Sequence, residues 1–298
     1  GYSSAASDVY KRQGTAVGIN ALLSRSLGEK NQDMADRAAN TGIFLSLCSF
    51  VVFALIGIFL SRPFFLAQAA GEESIVEYGT QYATICLGCS LGVFCQFCFE
   101  RLLQSTGRTF YAMCTQLTGA VINIILDPIL IFGLFGAPRM EVAGAAIATV
   151  AGQIVAALLA LLLNLKKNHD IHIRPREIRF NKEVAGVIYR VGIPSIVMQS
   201  ISSVMVFGMN KILFGFTKTA TAVFGSYFKL QSFVFMPVFG LNNGMVPIVS
   251  YNFGAARPER VRRTVKLSVC TAIAIMAVGL LVFQLFPRTL LGFFNASA

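Results

Sequence analysis

The segment VAGAAIATVAGQIVAALLALLLNL, residues 142–165, contains no charged side chain and is followed directly by Lys166 and Lys167. A run of about 20 apolar residues can cross the hydrocarbon core of a bilayer as one α-helix. Comparable apolar stretches with few charges occur at 41–60, 79–100, 110–136, 184–210, 220–250 and 264–286. The pattern predicts an all-α fold, a polytopic bundle of transmembrane helices.

The composition of the chain favours the same class. Hydrophobic residues make up 55% of the 298 residues, charged residues make up 13%, and the mean hydropathy is +0.66. Soluble domains carry about 25% charged residues, so much of the charge that keeps a domain in solution is missing here. A very large soluble core would also require helices with a polar outer face, and these segments lack one.

The net charge of +11 is divided unevenly between alternate loops. Sixteen Lys and Arg residues lie in four alternate loops: Arg25, Lys30, Arg37; Arg101, Arg108; Lys166, Lys167, Arg174, Arg176, Arg179, Lys182; and Arg257, Arg260, Arg262, Arg263, Lys266. The loops between them carry only Arg62, Arg139, Lys218 and Arg288. Under the positive-inside rule, the basic loops face the cytoplasm, where they meet anionic lipid. We therefore expect a multi-pass protein of the inner (plasma) membrane whose basic loops contact the lipid bilayer and not nucleic acid.

An internal repeat relates the two ends of the chain. Four small residues, Gly14, Gly18, Ser24 and Gly28, match Gly240, Gly244, Ser250 and Gly254 at one constant spacing. Six predicted crossings separate the two copies, so both copies run the same way through the membrane, which is the parallel arrangement of some transporters. The repeat also predicts that the chain lacks helices at its start and at its end.

The first thirteen residues, GYSSAASDVYKRQ, differ in character from the apolar segment after them. They are too short and too polar for the apolar core of a signal peptide. In the second copy of the repeat, the matching position holds the membrane segment YFKLQSFVFMPVF. We therefore interpret residues 1–13 as a non-native or disordered segment, with a native polar tail as the alternative.

Three segments carry a distinctive pattern of glycine, proline and polar residues: GTAVGINALLSRSLGEKNQDMADRAA at 14–39, NIILDPILIFG at 123–133, and MPVFGLNNGMVPIVSYNFGAARPERVRR at 236–263. Together they resemble the second helix and loop, the fifth helix, and the eighth helix and loop of the multidrug and toxic compound extrusion (MATE) transporters. This resemblance implies twelve helices in two parallel-repeat lobes of six, and an efflux protein rather than an enzyme.

The resemblance also implies the domain organisation. The N-lobe covers residues 14–165, from a partial helix 2 to helix 6. A cytoplasmic inter-lobe linker covers 166–183, and the C-lobe covers 184–298, with helices 7 to 9 and the start of helix 10. Two histidines, His169 and His172, lie in the linker, which we expect to be solvated.

A lone carboxylate lies near the middle of the 110–136 span. An ionised carboxylate at the centre of a bilayer costs about 2.5–3.5 kcal/mol even on insertion scales. Asn123 is one turn before Asp127 and shares its helix face, and Pro128 removes the hydrogen bond to the carbonyl of Ile124. These oxygen atoms could bind Na⁺ or tune a proton site. The MATE family has an Asn and an Asp at this spacing and assigns them to cation coupling; the alternative is a structural role at a kink.

Other polar residues inside the predicted spans are candidates for lining the solute path. They are Gln116, Gln96, Gln199, Ser203, Asn210 and Lys229. Hydrogen bonding between helices is an alternative role for the amides and hydroxyls. The ammonium group of Lys229 can instead extend to the membrane interface.

Several functional classes are not favoured by the sequence. Cys86-x-x-Cys89 and Cys95-x-x-Cys98 have zinc-like spacing, but on one predicted helix they point in opposite directions, so we expect no metal site. The glycine-containing loops lack the spacing of a nucleotide-binding P-loop. No cofactor is expected apart from H⁺ or Na⁺ as the coupling ion.

The predicted function is secondary active transport, the export of amphipathic or cationic organic compounds such as drugs and toxic compounds in antiport with H⁺ or Na⁺. We expect small organic substrates as partners, a bilayer environment and a monomer. Two alternatives remain: a lipid-linked saccharide flippase of the same superfamily, and an integral-membrane transferase.

Overall fold

The computed structural model describes residues 2–68, 73–136, 138–215 and 218–287, without the side chains of residues 2–14 and of some positions in the third, seventh and eighth helices. In these ranges the chain consists of helices joined by short turns. The α-helices are α1 Tyr2–Gly28, α2 Gln32–Gln68, α3 Glu73–Gly88, α4 Leu91–Ser105, α5 Thr109–Phe132, α6 Glu141–Lys167, α7 Lys182–Phe214, α8 Lys218–Gly254 and α9 Pro258–Leu285. The all-α prediction is confirmed.

Within the described ranges, five helices are long and apolar enough to cross a membrane: Gln32–Leu66, Thr109–Phe132, Glu141–Lys167, Val223–Gly254 and Pro258–Leu285. Each coincides with a predicted span. Large apolar side chains on their outer faces are exposed, among them Phe59, Ile124 and Leu281. Such faces are suited to contact with lipid chains. The predicted span 184–210 lies inside α7.

The predicted span 79–100 is wrong as a single helix. It is divided between Val76–Gly88 and Leu91–Ser105, which are bent by 47°. The turn contains Gly88, a weak helix former, and Ser90 N–H donates to the carbonyl of Leu87 at 3.2 Å instead of continuing the α-helical pattern.

The break also removes the premise of the argument against a zinc site. Cys86 lies on α3, Cys89 lies in the turn, and Cys95 and Cys98 lie on α4, so these cysteines do not share one straight helix. Within the described residues, no group of three or more His, Cys, Asp or Glu side chains is placed to hold a metal ion. The seven cysteines all lie within the described residues and form no disulfide bond.

The internal repeat appears in the structure as a repeated turn. The α1–α2 and α8–α9 connections each contain a non-glycine residue with positive φ, Lys30 at 57° and Ala256 at 52°. In the first turn, Asn31 N–H donates to the carbonyl of Ser26 at 2.9 Å. In the second turn, Arg257 N–H donates to the carbonyl of Asn252, also at 2.9 Å. This hydrogen-bond pattern ends a helix by satisfying its last carbonyl groups. Helices α1 and α8 therefore end, and helices α2 and α9 begin, at equivalent positions of the repeat.

Helix α1 lies at the centre of the molecule and packs against α2, α4, α7 and α8. Its side chains Ile19 and Leu23 are buried together with Leu102 of α4 and Ile188 of α7. Helix α1 begins at Tyr2, so residues 2–13 are helical. The interpretation of 1–13 as a non-native segment stays a prediction.

The connection between α6 and α7 is held against α2. Asp36, which is 8% exposed, accepts a hydrogen bond from His172 N–H at 2.9 Å. Asn40 donates to the carbonyl of His172 at 3.2 Å and accepts from Arg174 N–H at 3.1 Å. Side chains of α2 therefore replace water as partners of the linker backbone at residues 172–174, while the side chains of His172 and Arg174 are exposed. The expectation of a solvated linker stays a prediction.

Candidate functional site

Asp127 and Asn123 form a polar cluster with Thr149 between α5 and α6. Asn123 Nδ2 lies 3.4 Å from Asp127 Oδ1 and 3.2 Å from Thr149 Oγ1. With the amide turned over, its amino group donates to Asp127 Oδ2 at 3.3 Å and its carbonyl accepts from Thr149. In either orientation Asn123 bridges the carboxylate and the hydroxyl. The predicted pairing of Asn123 with Asp127 on one helix face is present, and Thr149 is an addition that only the fold reveals.

Glycine residues allow the two helices to approach closely at this cluster. A β-carbon on Gly152 of α6 would lie 2.7 Å from the carbonyl oxygen of Gly119 on α5. It would also lie 3.6 Å from the β-carbon of Asn123. The small residues of α5 therefore serve helix contact, and this contact places Asn123 within reach of Thr149.

A third helix contributes Tyr82 to the same cluster. The phenol of Tyr82, on α3, lies near the hydroxyl of Thr149 and within the electrostatic field of the Asp127 carboxylate. Asp127 and Asn123 are half-buried. Carboxylate, amide and hydroxyl oxygens are the hard ligands that suit a cation such as Na⁺, and the same carboxylate can instead take a proton. The residues present thus fit either coupling ion.

A second carboxylate, Glu100 of α4, is buried toward the start of α5, with 1% of its surface exposed. Gln96 Nε2 donates to Glu100 Oε1 at 2.9 Å, and Gln116 Nε2 donates to Glu100 Oε2 at 2.8 Å. Thr115 Oγ1 lies 3.2 Å from Glu100 Oε1. Gln96 and Gln116, which were predicted separately to line the solute path, therefore both bind the carboxyl group of Glu100.

Sequence reasoning missed Glu100. The residue ends an apolar run and precedes Arg101, a combination that is typical of a membrane boundary. The structure instead buries both, since Arg101 is 3% exposed and donates to Gln104 Oε1 at 2.7 Å. One signal was available in the sequence, because Gln96 and Glu100 are one helical turn apart.

Comparison with known proteins identifies the family of this fold. The family model MatE matches residues 12–129 and 194–298. The chain belongs to the MatE family. This is a family of membrane transporters and not of enzymes, and the chain is accordingly a multi-pass membrane protein.

Individual members of the MatE family match almost the whole chain. The multidrug export protein MepA of Staphylococcus saprophyticus is 29% identical over 283 residues, which is 95% of this chain and 61% of MepA. The solved MATE multidrug transporter DinF-BH is 31% identical, with a TM-score of 0.88, covering 99% of this chain and 66% of that one. An outward-facing MATE family transporter of the MOP superfamily is 23% identical, with a TM-score of 0.87, and covers 98% and 64%. The chain thus spans about three fifths of the length of the curated relatives it matches.

The structure leaves four other predicted site residues of this MatE chain without an assigned role. The side chains of Gln199, Ser203 and Asn210 on α7 lie outside the described residues. Lys229 is exposed on α8. Their role in lining a solute path stays a prediction.

A cleft of about 740 Å³ lies between α2 and α3. Its lining includes Arg62, Glu73, Glu77 and Gln81. No residue of the Asp127 cluster or the Glu100 cluster is among the residues that line it. We assign it no role in transport.

Proposed function

We propose that this chain belongs to a secondary active transporter that exports amphipathic or cationic organic compounds in antiport with H⁺ or Na⁺. Its membrane is the inner (plasma) membrane, with the basic loops on the cytoplasmic side. The observation that carries the proposal is the cluster of Asp127, Asn123 and Thr149, which places a half-buried carboxylate between two membrane-spanning helices of a MatE chain.

The energetics of that carboxylate supply the coupling. A charge in the bilayer core is costly unless it is neutralised, so the free energy of the cluster depends on whether H⁺ or Na⁺ is bound. A ligand shifts a conformational equilibrium only through different affinities for the two conformations. If Asp127 is more accessible to water in one orientation of the lobes than in the other, ion binding favours one orientation. Export of a second solute can then be driven by the ion gradient.

The relatives favour organic compounds as the exported solutes. MepA is named a multidrug export protein, and DinF-BH is named a multidrug transporter. In this chain, the exposed outer faces are apolar, and the anionic group of the first cluster is suited to a cationic coupling ion.

A flippase for lipid-linked saccharides would use several cationic side chains within the bundle to hold phosphate groups. The buried residues that the structure describes include one arginine, Arg101. The adjacent carboxyl of Glu100 interacts with its charge, which makes this position unfavourable for a phosphate group. This arrangement favours the antiporter.

The test is dye export from cells expressing the gene that encodes this chain. We expect Asp127→Asn to abolish gradient-driven export while the protein still reaches the membrane. The matched control is Asp33→Asn, since Asp33 is 74% exposed and pairs only with Arg37 at 2.9 Å. Collapsing the Na⁺ and pH gradients in turn identifies the coupling ion. Export by Asp127→Asn at the control rate would contradict the proposal.

A further inference from the structure

Glu100 is a buried acid that the proposed coupling site does not use. Its ligand Gln116 and the cluster residue Asn123 are both on α5, seven residues apart, which is about 10.5 Å along a helix axis. They share one face of α5, because seven residues are close to two helical turns. The two carboxyl groups therefore occupy separate levels along α5, with Asp127 between α5 and α6 and Glu100 between α4 and α5. Glu100 is at the level nearer to the α4–α5 turn, which contains Arg108.

When Glu100 is ionised, the Thr115 hydroxyl has two acceptors for its single hydrogen, the Glu100 carboxylate and the carbonyl of Ala112. Gln96 and Gln116 each donate one N–H to the carboxylate. Thr115 lies within reach, but its oxygen is also 2.7 Å from the carbonyl oxygen of Ala112. A threonine hydroxyl has one hydrogen, so it can be donated to Ala112 or to Glu100, but not to both.

One added proton resolves the conflict. Thr115 Oγ1 is closer to the carbonyl oxygen of Ala112, at 2.7 Å, than to Glu100 Oε1, at 3.2 Å. If Thr115 donates its hydrogen to Ala112, its contact with Glu100 is favourable only when Glu100 carries a hydrogen and donates it to Thr115. The protonated carboxyl still accepts from Gln96 and Gln116, so every partner is satisfied. If Glu100 loses the proton, rotation of the Thr115 hydroxyl turns its hydrogen toward the carboxylate. The site can hold both states through the rotation of one hydroxyl group.

The surroundings are suited to a proton and not to a larger cation. The groups that face the carboxylate are N–H donors, whose positive ends repel a metal ion. Glu100 is 1% exposed, which leaves no room for an organic cation. Helix α4 packs against α1, α2, α5 and α6. In the described part of the chain, Arg101 is the charged side chain that acts on Glu100, and α5 presents the neutral Thr115 and Gln116.

We propose that Glu100 is a second proton-binding carboxyl, which takes one proton from water and returns it, with the Thr115 hydroxyl as the group that adjusts to each state. Gln116, which donates to the carboxylate, is itself exposed. The inference deepens the proposed antiport, on which its role in transport rests, because it adds a proton site at a level distinct from Asp127.

The test is pH-difference infrared spectroscopy of the purified protein, which detects the C=O stretch of a protonated carboxyl. We expect a band that disappears as the pH is raised, that shifts when the protein is produced with isotope-labelled glutamate, and that is absent in Glu100→Gln. The band should persist in Asp127→Asn. Thr115→Val should move the pH at which the band disappears upward by about one unit, because the charge-assisted hydrogen bond that the ionised form loses is stronger than the neutral one that the protonated form loses. Thr115→Ser should leave that pH unchanged.

The outcomes separate this inference from the proposed function. A spectrum that is the same in Glu100→Gln and wild type, or a band that does not respond to labelled glutamate, overturns the inference while leaving the antiporter standing. The labelling result needs no substitution, so it holds even if Glu100→Gln does not fold. A band assigned to Glu100 in a protein that exports no solute supports the inference and overturns the proposed function.

Discussion

Gly28 and Gly254 make reciprocal contacts at the ends of α1 and α8. A β-carbon on Gly28 would overlap the carbonyl oxygen of Tyr251, and one on Gly254 would overlap the carbonyl oxygen of Arg25. Gly28 and Gly254 are equivalent positions of the internal repeat, and so are Arg25 and Tyr251. The two copies of the repeat therefore meet backbone to backbone, by the same atoms in both directions.

Replacing either glycine by alanine should force the two helices apart. We expect Gly28→Ala and Gly254→Ala each to destabilise the protein by about 1–3 kcal/mol, the usual cost of overpacking, seen as a lower midpoint of thermal unfolding. Gly240→Ala on α8 is the control, since nothing lies within 4 Å of its added carbon. Equal midpoints for Gly28→Ala and Gly240→Ala would show that the close contact does not exist.

Thr149 should contribute to transport through Asn123. In Thr149→Val the amide of Asn123 loses a partner at 3.2 Å, and an unsatisfied polar group costs about 1–3 kcal/mol. We expect gradient-driven export to fall about tenfold, since about 1.4 kcal/mol corresponds to a factor of ten. Thr149→Ser keeps the hydroxyl and should export at close to the wild-type rate. A Val variant as active as the Ser variant would argue against a role for the hydroxyl.

The close approach of α5 and α6 should matter for both stability and export. The added carbon of Gly152→Ala would lie 2.7 Å from the carbonyl oxygen of Gly119, so the helices must separate and Asn123 must move away from Thr149. We expect a lower unfolding midpoint and a lower export rate. Gly186→Ala is the control, because its added carbon has no neighbour within 4 Å; a loss of the same size in that variant would refute the explanation.

The linker should be released when its anchor on α2 is removed. Asp36→Ala deletes the acceptor of His172 N–H at 2.9 Å and of Gln32 Nε2 at 3.1 Å. We expect trypsin to cut the linker after Arg179 about ten times faster than in the wild type, because local opening controls cleavage. Asp33→Ala removes an acid of the same helix that does not contact the linker, and its cleavage rate should be unchanged. Equal rates in the two variants would rule out anchoring by Asp36.

Features that depend on neighbouring residues along the chain were predictable. The length of each apolar run predicts a span, because every backbone polar group in lipid must find its partner inside the helix. The pairing of Asn123 with Asp127 follows from helical spacing alone. The internal repeat likewise anticipates the matching turns at Lys30 and Ala256.

Features that depend on contact between distant segments were not predictable. The 47° bend between α3 and α4 occurs within an apolar run whose composition suits one straight helix. The partners Thr149 and Tyr82 come from other helices, and their sequence distance from Asp127 carries no information about spatial distance.

The sequence was sufficient to predict a polytopic bundle with a carboxylate near the middle of one span, from the lengths of its apolar segments, its alternate basic loops and its internal repeat. This was possible because helix formation in lipid is governed by local hydrogen bonding. Tertiary packing alone decided that Glu100, beside a basic residue at the end of an apolar run, is buried and bound by Gln96 and Gln116. Whether a polar side chain meets water, lipid or a hydrogen-bond donor depends on which helices are its neighbours.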